Sequence, residues 1–144
     1  QGSSVASVAI AAHELGHALQ DKEGYFPLRL RSMLVPAVNI GSTLGWILIM
    51  VGLLINALGI AWLGVFAFSG GAVFALATLP VELNASARAK QLLRKSGIIQ
   101  NEKEQKGVNS VLNAAALTYV AALFTAVMQL LYFVSLVSGG SRRR

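Results

Sequence analysis

The chain has 144 residues, of which 55% are hydrophobic and only 12% charged. That charged share is about half of what a soluble domain carries, and mean hydropathy is +0.62. Intrinsic disorder is excluded, since it needs low hydrophobicity and high charge, and too few charges remain to cover a soluble surface. The composition points to an integral membrane protein in the lipid bilayer. Twelve Lys and Arg against six Asp and Glu give a net charge of +6. These basic residues flank apolar stretches instead of interleaving with aromatics on a polar face, which speaks for juxtamembrane charge and against nucleic acid. Without cysteine there are no disulfides, thiolate zinc sites or cysteine nucleophiles.

The first residue is Gln1 and the opening segment lacks a basic n-region, so it reads as part of a processed or longer chain and not as a signal peptide. Ser7 to about Gln20 predicts a helix rich in alanine and leucine, ending near Asp21. Ser32 to Val81 then carries no charge. As one helix it would be about 75 Å long, more than twice the roughly 30 Å hydrocarbon core. Two spans and a tight turn resolve this. The turn falls near Asn56-Ala57-Leu58-Gly59, giving spans at about residues 34–55 and 60–79. Pro36 suits the start of the first, and Pro80 the end of the second or the opening of the next helix. Gly41 and Gly45 form a GxxxG pair that lets another helix approach closely.

Pro80 to Ser96 predicts a further helix, with Arg94 and Lys95 in its last turn and Gly97 as its stop. Gln100–Lys106 reads as a charged loop. Gly107 to Ser141 is again uncharged, and a third span is expected at about residues 111–137. Asn109, Asn113 and Gln129 should face protein or an interface. Lys22, Arg29 and Arg31 precede the first span, and Arg88, Lys90, Arg94, Lys95, Lys103 and Lys106 follow the second. By the Lys/Arg rule these segments are cytoplasmic and the hairpin tip is outside. Arg142, Arg143 and Arg144 run against that pattern. The fold class expected is all-α: one multi-pass domain over residues 1–144, with about three spans.

His13-Glu14-Leu15-Gly16-His17 is an HExxH motif, and it takes up both histidines of the chain. On a helix, residues i and i+4 share a face, so two imidazoles can bind one Zn²⁺. The glutamate beside the first histidine can then act as general base toward water activated by the metal. Satisfied structural histidines are the bland alternative. A catalytic site needs a third ligand, and with no other His or Cys it must be a carboxylate. Asp21, Glu23, Glu82, Glu102 and Glu104 are the candidates. Asp21 and Glu23 sit at or past the helix end, and Glu102 and Glu104 look solvated. Glu82 is favoured, being the only charge between Arg31 and Arg88, where an isolated acid beside the membrane needs a partner. A carboxylate stabilising a helix N-terminus after Pro80 would explain it as well. Tyr25, Asn84 and Arg88 are candidate oxyanion-stabilising groups by nearness to the motifs.

His-Glu-Leu-Gly-His-Ala-Leu-Gln at 13–20, together with Leu-Pro-Val-Glu-Leu-Asn-Ala-Ser at 79–86, resembles the bacterial membrane-bound neutral zinc metallopeptidase family. The likeness extends over nearly the whole chain. It implies His13, His17 and Glu82 as zinc ligands, Glu14 as catalytic base, and protein or peptide substrates near the membrane. Related sites often place an aspartate directly after the alanine of Glu-x-x-Ala to support a ligand. Here that position is Ser86, and Asn84 could substitute. The family also implies an upstream anchor helix and a further segment before the histidines, and the stretch from Gln1 is expected to hold neither. Two other readings compete with a membrane-anchored endopeptidase whose site lies at the cytoplasmic face. One is a site-2-type intramembrane protease, which takes an aspartate from a later span; no Asp follows Asp21. The other is a non-enzymatic membrane assembly protein with a structural or vestigial metal site.

Overall fold

A computed structural model describes residues 2–142, with side chains over residues 5–140. The described residues form four helices and no strand: α1 Gly2–Lys22, α2 Phe26–Leu54, α3 Leu58–Ser96 and α4 Glu102–Arg142. Three helical stretches, Phe26–Leu54, Leu58–Ser96 and Glu102–Gly140, are long and apolar enough to cross a membrane. Large apolar side chains such as Trp46, Phe66, Leu76, Phe124 and Leu131 are exposed on them. Such surfaces suit lipid and not water. The chain is all-α and an integral membrane protein. Arg143 and Arg144 and the Arg142 side chain lie outside the described residues, and with them the question of which side the terminal arginines take.

Two boundaries differ from expectation. Pro80 neither ends nor opens a helix; it lies inside α3, as Pro36 lies inside α2. Proline removes one backbone donor and crowds the carbonyl four residues back, which breaks most water-exposed helices. Membrane helices tolerate it, because no water competes for the remaining backbone bonds. The segment Gln100–Lys106 is also no loop from Glu102 onward. The Asn101 side chain accepts from the Glu104 N–H at 2.8 Å, and Glu104 accepts from the Gln100 N–H at 3.1 Å. This is an N-cap, with Glu102 and Glu104 in the favourable first turn of α4.

The α2–α3 turn falls within the expected stretch, and its hydrogen bonds explain why. Asn56 has φ 57°, in the left-handed region. The Ala57 N–H donates to the Gly52 carbonyl at 2.8 Å and the Asn56 N–H to the Leu53 carbonyl at 3.4 Å. That pair of bonds closes α2 as a Schellman motif, with asparagine where glycine is commonest. Gly24, at φ 69°, closes α1 in the same way: the Tyr25 N–H donates to the Gln20 carbonyl at 2.8 Å. Gly97, at φ 71°, follows the end of α3 as expected. Asn56→Gly should therefore leave stability unchanged. Asn56→Ile should cost about 1–2 kcal/mol, because a β-branched residue resists this backbone. Unfolding by SDS titration reads the difference.

The chain forms two compact units: Gln1–Leu30 with Thr78–Ala121, and Arg31–Ala77 with Ala122–Arg144. In the second, Ile49, Ala61, Val65 and Val137 form the buried cluster. Gly45 and Gly64 set two helix backbones against each other there, with a Cβ at Gly45 only 2.8 Å from the Gly64 carbonyl oxygen. The GxxxG pair is thus used within the α2–α3 hairpin. Along α4, Lys90 Nζ donates to the Asn113 side chain and Gln105 to Asn109. Gln129 is exposed in this chain, which leaves an interface as the remaining form of the expectation for it. In the first unit, Ala9, Ala12, Ala89, Leu93, Val108 and Leu112 form the core. Small residues dominate where α1 meets α3, so the two backbones come close.

Candidate metal centre

The backbones of α1 and α3 come into close contact at Gly16. A Cβ there would lie 2.3 Å from the Ala85 carbonyl oxygen. Ala12, Gly16 and Ala85 are all buried. This contact leaves short side chains on the two helices within reach of one another. His13, Gly16, His17 and Gln20 form an i, i+3, i+4, i+7 stripe on α1. Val81, Glu82, Ala85 and Ser86 provide the buried positions opposite on α3.

His13, His17 and Glu82 converge on this crossing. His13 Nε2 lies 2.8 Å from Glu82 Oε2, and His17 Nε2 lies 3.3 Å from the same oxygen. The two Nε2 atoms are 3.1 Å apart. The rings stand at 89° with centroids 4.7 Å apart. Tetrahedral zinc with bonds near 2.0–2.1 Å separates its ligand atoms by roughly 3.3 Å, so the spacing fits after small side-chain shifts. The donor set fits too. Two imidazole nitrogens and one carboxylate suit zinc, and a buried carboxylate needs a cationic partner. Glu82 is only 2% exposed. These three could hold one metal ion.

The other sequence candidates lie elsewhere. Glu23 is exposed and pairs with Arg88 Nη1. Asp21 is exposed at the end of α1. Glu102 and Glu104 start α4, as described above. Glu14 is exposed, next to the first histidine and unburied by any neighbour. Ser86 Oγ stands 3.1 Å from His13 Nδ1, so serine occupies the supporting place expected of an aspartate. Asn84 does not take that role; it meets Gln20 and Arg88. The Arg88 guanidinium is engaged by Asn84 and Glu23 and sits 5.6 Å over the Tyr25 ring. Those three candidate oxyanion groups are thus tied to one another.

Gln20 was the residue missed. It is fully buried and its Oε1 lies 2.9 Å from His17 Nδ1. A polar residue three positions after the second histidine, on the same face of an apolar helix, is the signal that marks it.

A family model described as "Putative neutral zinc metallopeptidase" matches residues 1–138. The chain belongs to that family. It is also 46% identical over 139 residues to a Bacillus subtilis (strain 168) protein named "Putative membrane protease YugP", covering 96% of this chain. The chain spans 61% of that relative's length. No solved structure matches. The family description names zinc, and the membrane character of the relative agrees with the three candidate spans.

Proposed function

We propose that this chain carries the catalytic centre of a membrane-anchored zinc endopeptidase. The observation that carries the reading is the convergence of His13, His17 and Glu82 beside an exposed Glu14. Three ligands leave a coordination position open, as hydrolytic zinc sites require, whereas structural sites close all four. When bound, zinc supplies Lewis-acid chemistry, acidifying water and polarising a peptide carbonyl. Glu14 takes a proton from the attacking water and returns it to the departing amine nitrogen. Its exposure leaves room for a peptide to lie across α1. His13, His17 and Glu82 hold the metal, and their fixed helices spare reorganisation during the reaction.

The site is cytoplasmic in this reading. The unit that contains the three ligands also contains Lys22, Arg29, Arg88, Lys90, Arg94, Lys95, Lys103 and Lys106. By the Lys/Arg rule that unit stays inside. About twenty helical residues cross a bilayer, so α3, starting from Leu58, leaves the hydrocarbon just before Glu82. Substrates are membrane proteins or peptide segments presented near the bilayer.

Metal analysis of detergent-purified protein tests the centre. Wild type should carry about one zinc per chain, and Glu82→Ala should lose most of it, since removing one of three protein ligands opens the site. No zinc in reconstituted wild type would overturn the proposal. Equal zinc in both proteins would remove Glu82 from the ligand set.

A further inference from the structure

The protons around His17 can be placed from the chemistry of its neighbours. Arginine only donates hydrogen bonds. Arg88 Nε lies 2.7 Å from the Asn84 amide, so the Asn84 atom facing it is the oxygen. That oxygen also accepts from Gln20 Nε2 at 3.0 Å, and the same Nε2 donates to the Val81 carbonyl at 2.9 Å. Both partners of this end of Gln20 are acceptors, so the amide nitrogen belongs there. Oε1 is left facing His17 Nδ1 at 2.9 Å. An acceptor at that distance requires Nδ1 to carry the hydrogen. In a neutral imidazole the lone pair is then on Nε2, the atom that points at His13 Nε2 and Glu82 Oε2.

We propose that Gln20 is the positioning residue of the metal centre: held by Val81 and Asn84, the latter fixed in turn by Arg88 and Glu23, it locks His17 in the tautomer whose Nε2 can ligate. The inference rests on the metal-centre reading but adds a residue outside the ligand set. His13 is supported differently. Its Nδ1 faces Ser86 Oγ, and a hydroxyl both donates and accepts, so it imposes no tautomer by itself. The lock on His17 also reaches the surface, because Glu23 and Tyr25 at the end of α1 hold Arg88 in place. Each link is anchored on a regular helix or its cap, which suits a support that must not drift.

Histidine tautomers can be read in metal-free protein near pH 8 by long-range ¹H–¹⁵N correlation, with His13→Asn for assignment. Wild-type His17 should carry its proton on Nδ1. Gln20→Met keeps the length but offers no acceptor; His17 should then move toward the Nε2–H form. Zinc affinity, from chelator competition, should fall about 10–100-fold, as loss of such supporting partners generally does. Gln20→Glu keeps an acceptor toward Nδ1 and should keep the Nδ1–H form, although its second oxygen then faces the Val81 carbonyl and Asn84 Oδ1 and lowers stability. An unchanged tautomer in Gln20→Met would overturn the proposal, whether or not affinity fell, since a fall alone would mean a packing role. Absence of zinc binding by wild type would instead overturn the metal centre, while the tautomer comparison still decides the part played by Gln20.

Discussion

Glu14→Gln should leave about one zinc bound per chain and remove peptide hydrolysis. Glutamine matches glutamate in size and sits on the exposed side of α1, so neither packing nor the ligand set changes. What is lost is a carboxylate able to take and return a proton. General-base groups contribute about 10²–10⁴-fold to rate, and the loss should fall on kcat more than on KM. Cleavage of a fluorogenic peptide library in detergent, with metal content measured on the same samples, separates the two effects. Full turnover in Glu14→Gln would mean that another group handles the proton. The same variant discriminates an enzyme from a structural metal protein, because a structural site has no use for this carboxylate.

Gly16→Ala should abolish metal binding, though it adds a single methyl group to a helix that would otherwise welcome it. Alanine favours helix over glycine by about 1 kcal/mol. Against that stands a Cβ placed 2.3 Å from the Ala85 carbonyl oxygen. The obstacle is backbone, so no side chain can rotate away. Restoring ordinary contact needs a separation of about 1 Å between the helices, at an overpacking cost of about 1–3 kcal/mol. Metal sites tolerate deviations of only about 0.2 Å in ligand distance. Both histidines are on one side of this contact and Glu82 on the other. Zinc stoichiometry should drop sharply while helical circular dichroism persists. Gly70→Ala is the control: it lies inside α3 with nothing near its Cβ position and should behave as wild type. Normal zinc content in Gly16→Ala would show that the crossing can relax without loss of the site.

The three apolar helices were legible because the uncharged stretches are too long for any other membrane element. The turn at Asn56 was legible because a polar residue interrupts the apolar run. Continuity through Pro80 was not, since the rule that proline ends helices was learned in water and weakens where backbone groups have no competing partner. The start of α4 was hidden for a different reason: Asn101 acts as a cap, and a cap followed by charged residues resembles a loop until its hydrogen bonds are seen. Within the site, the two histidines announce themselves by spacing, and Glu82 by its isolation. Gln20 and Ser86 are neutral, and nothing in the sequence reveals that Gln20 meets Val81, 61 positions later, or that Ser86 meets His13, 73 positions earlier. Those contacts arise from the small-residue crossing, a three-dimensional fact written only as scattered glycine and alanine.

His13 and Glu82 meet although 69 positions separate them along the chain. Everything between them includes α2 and the first half of α3, which is the membrane hairpin. A growing chain therefore exposes its two histidines long before the third ligand has been synthesised. The carboxylate can join them only after the hairpin has turned back on itself. Assembly of the candidate centre thus depends on completion of the hairpin. In the proposed endopeptidase, a nascent or misthreaded copy therefore holds the two histidines without the carboxylate, and the centre is complete only when the topology is.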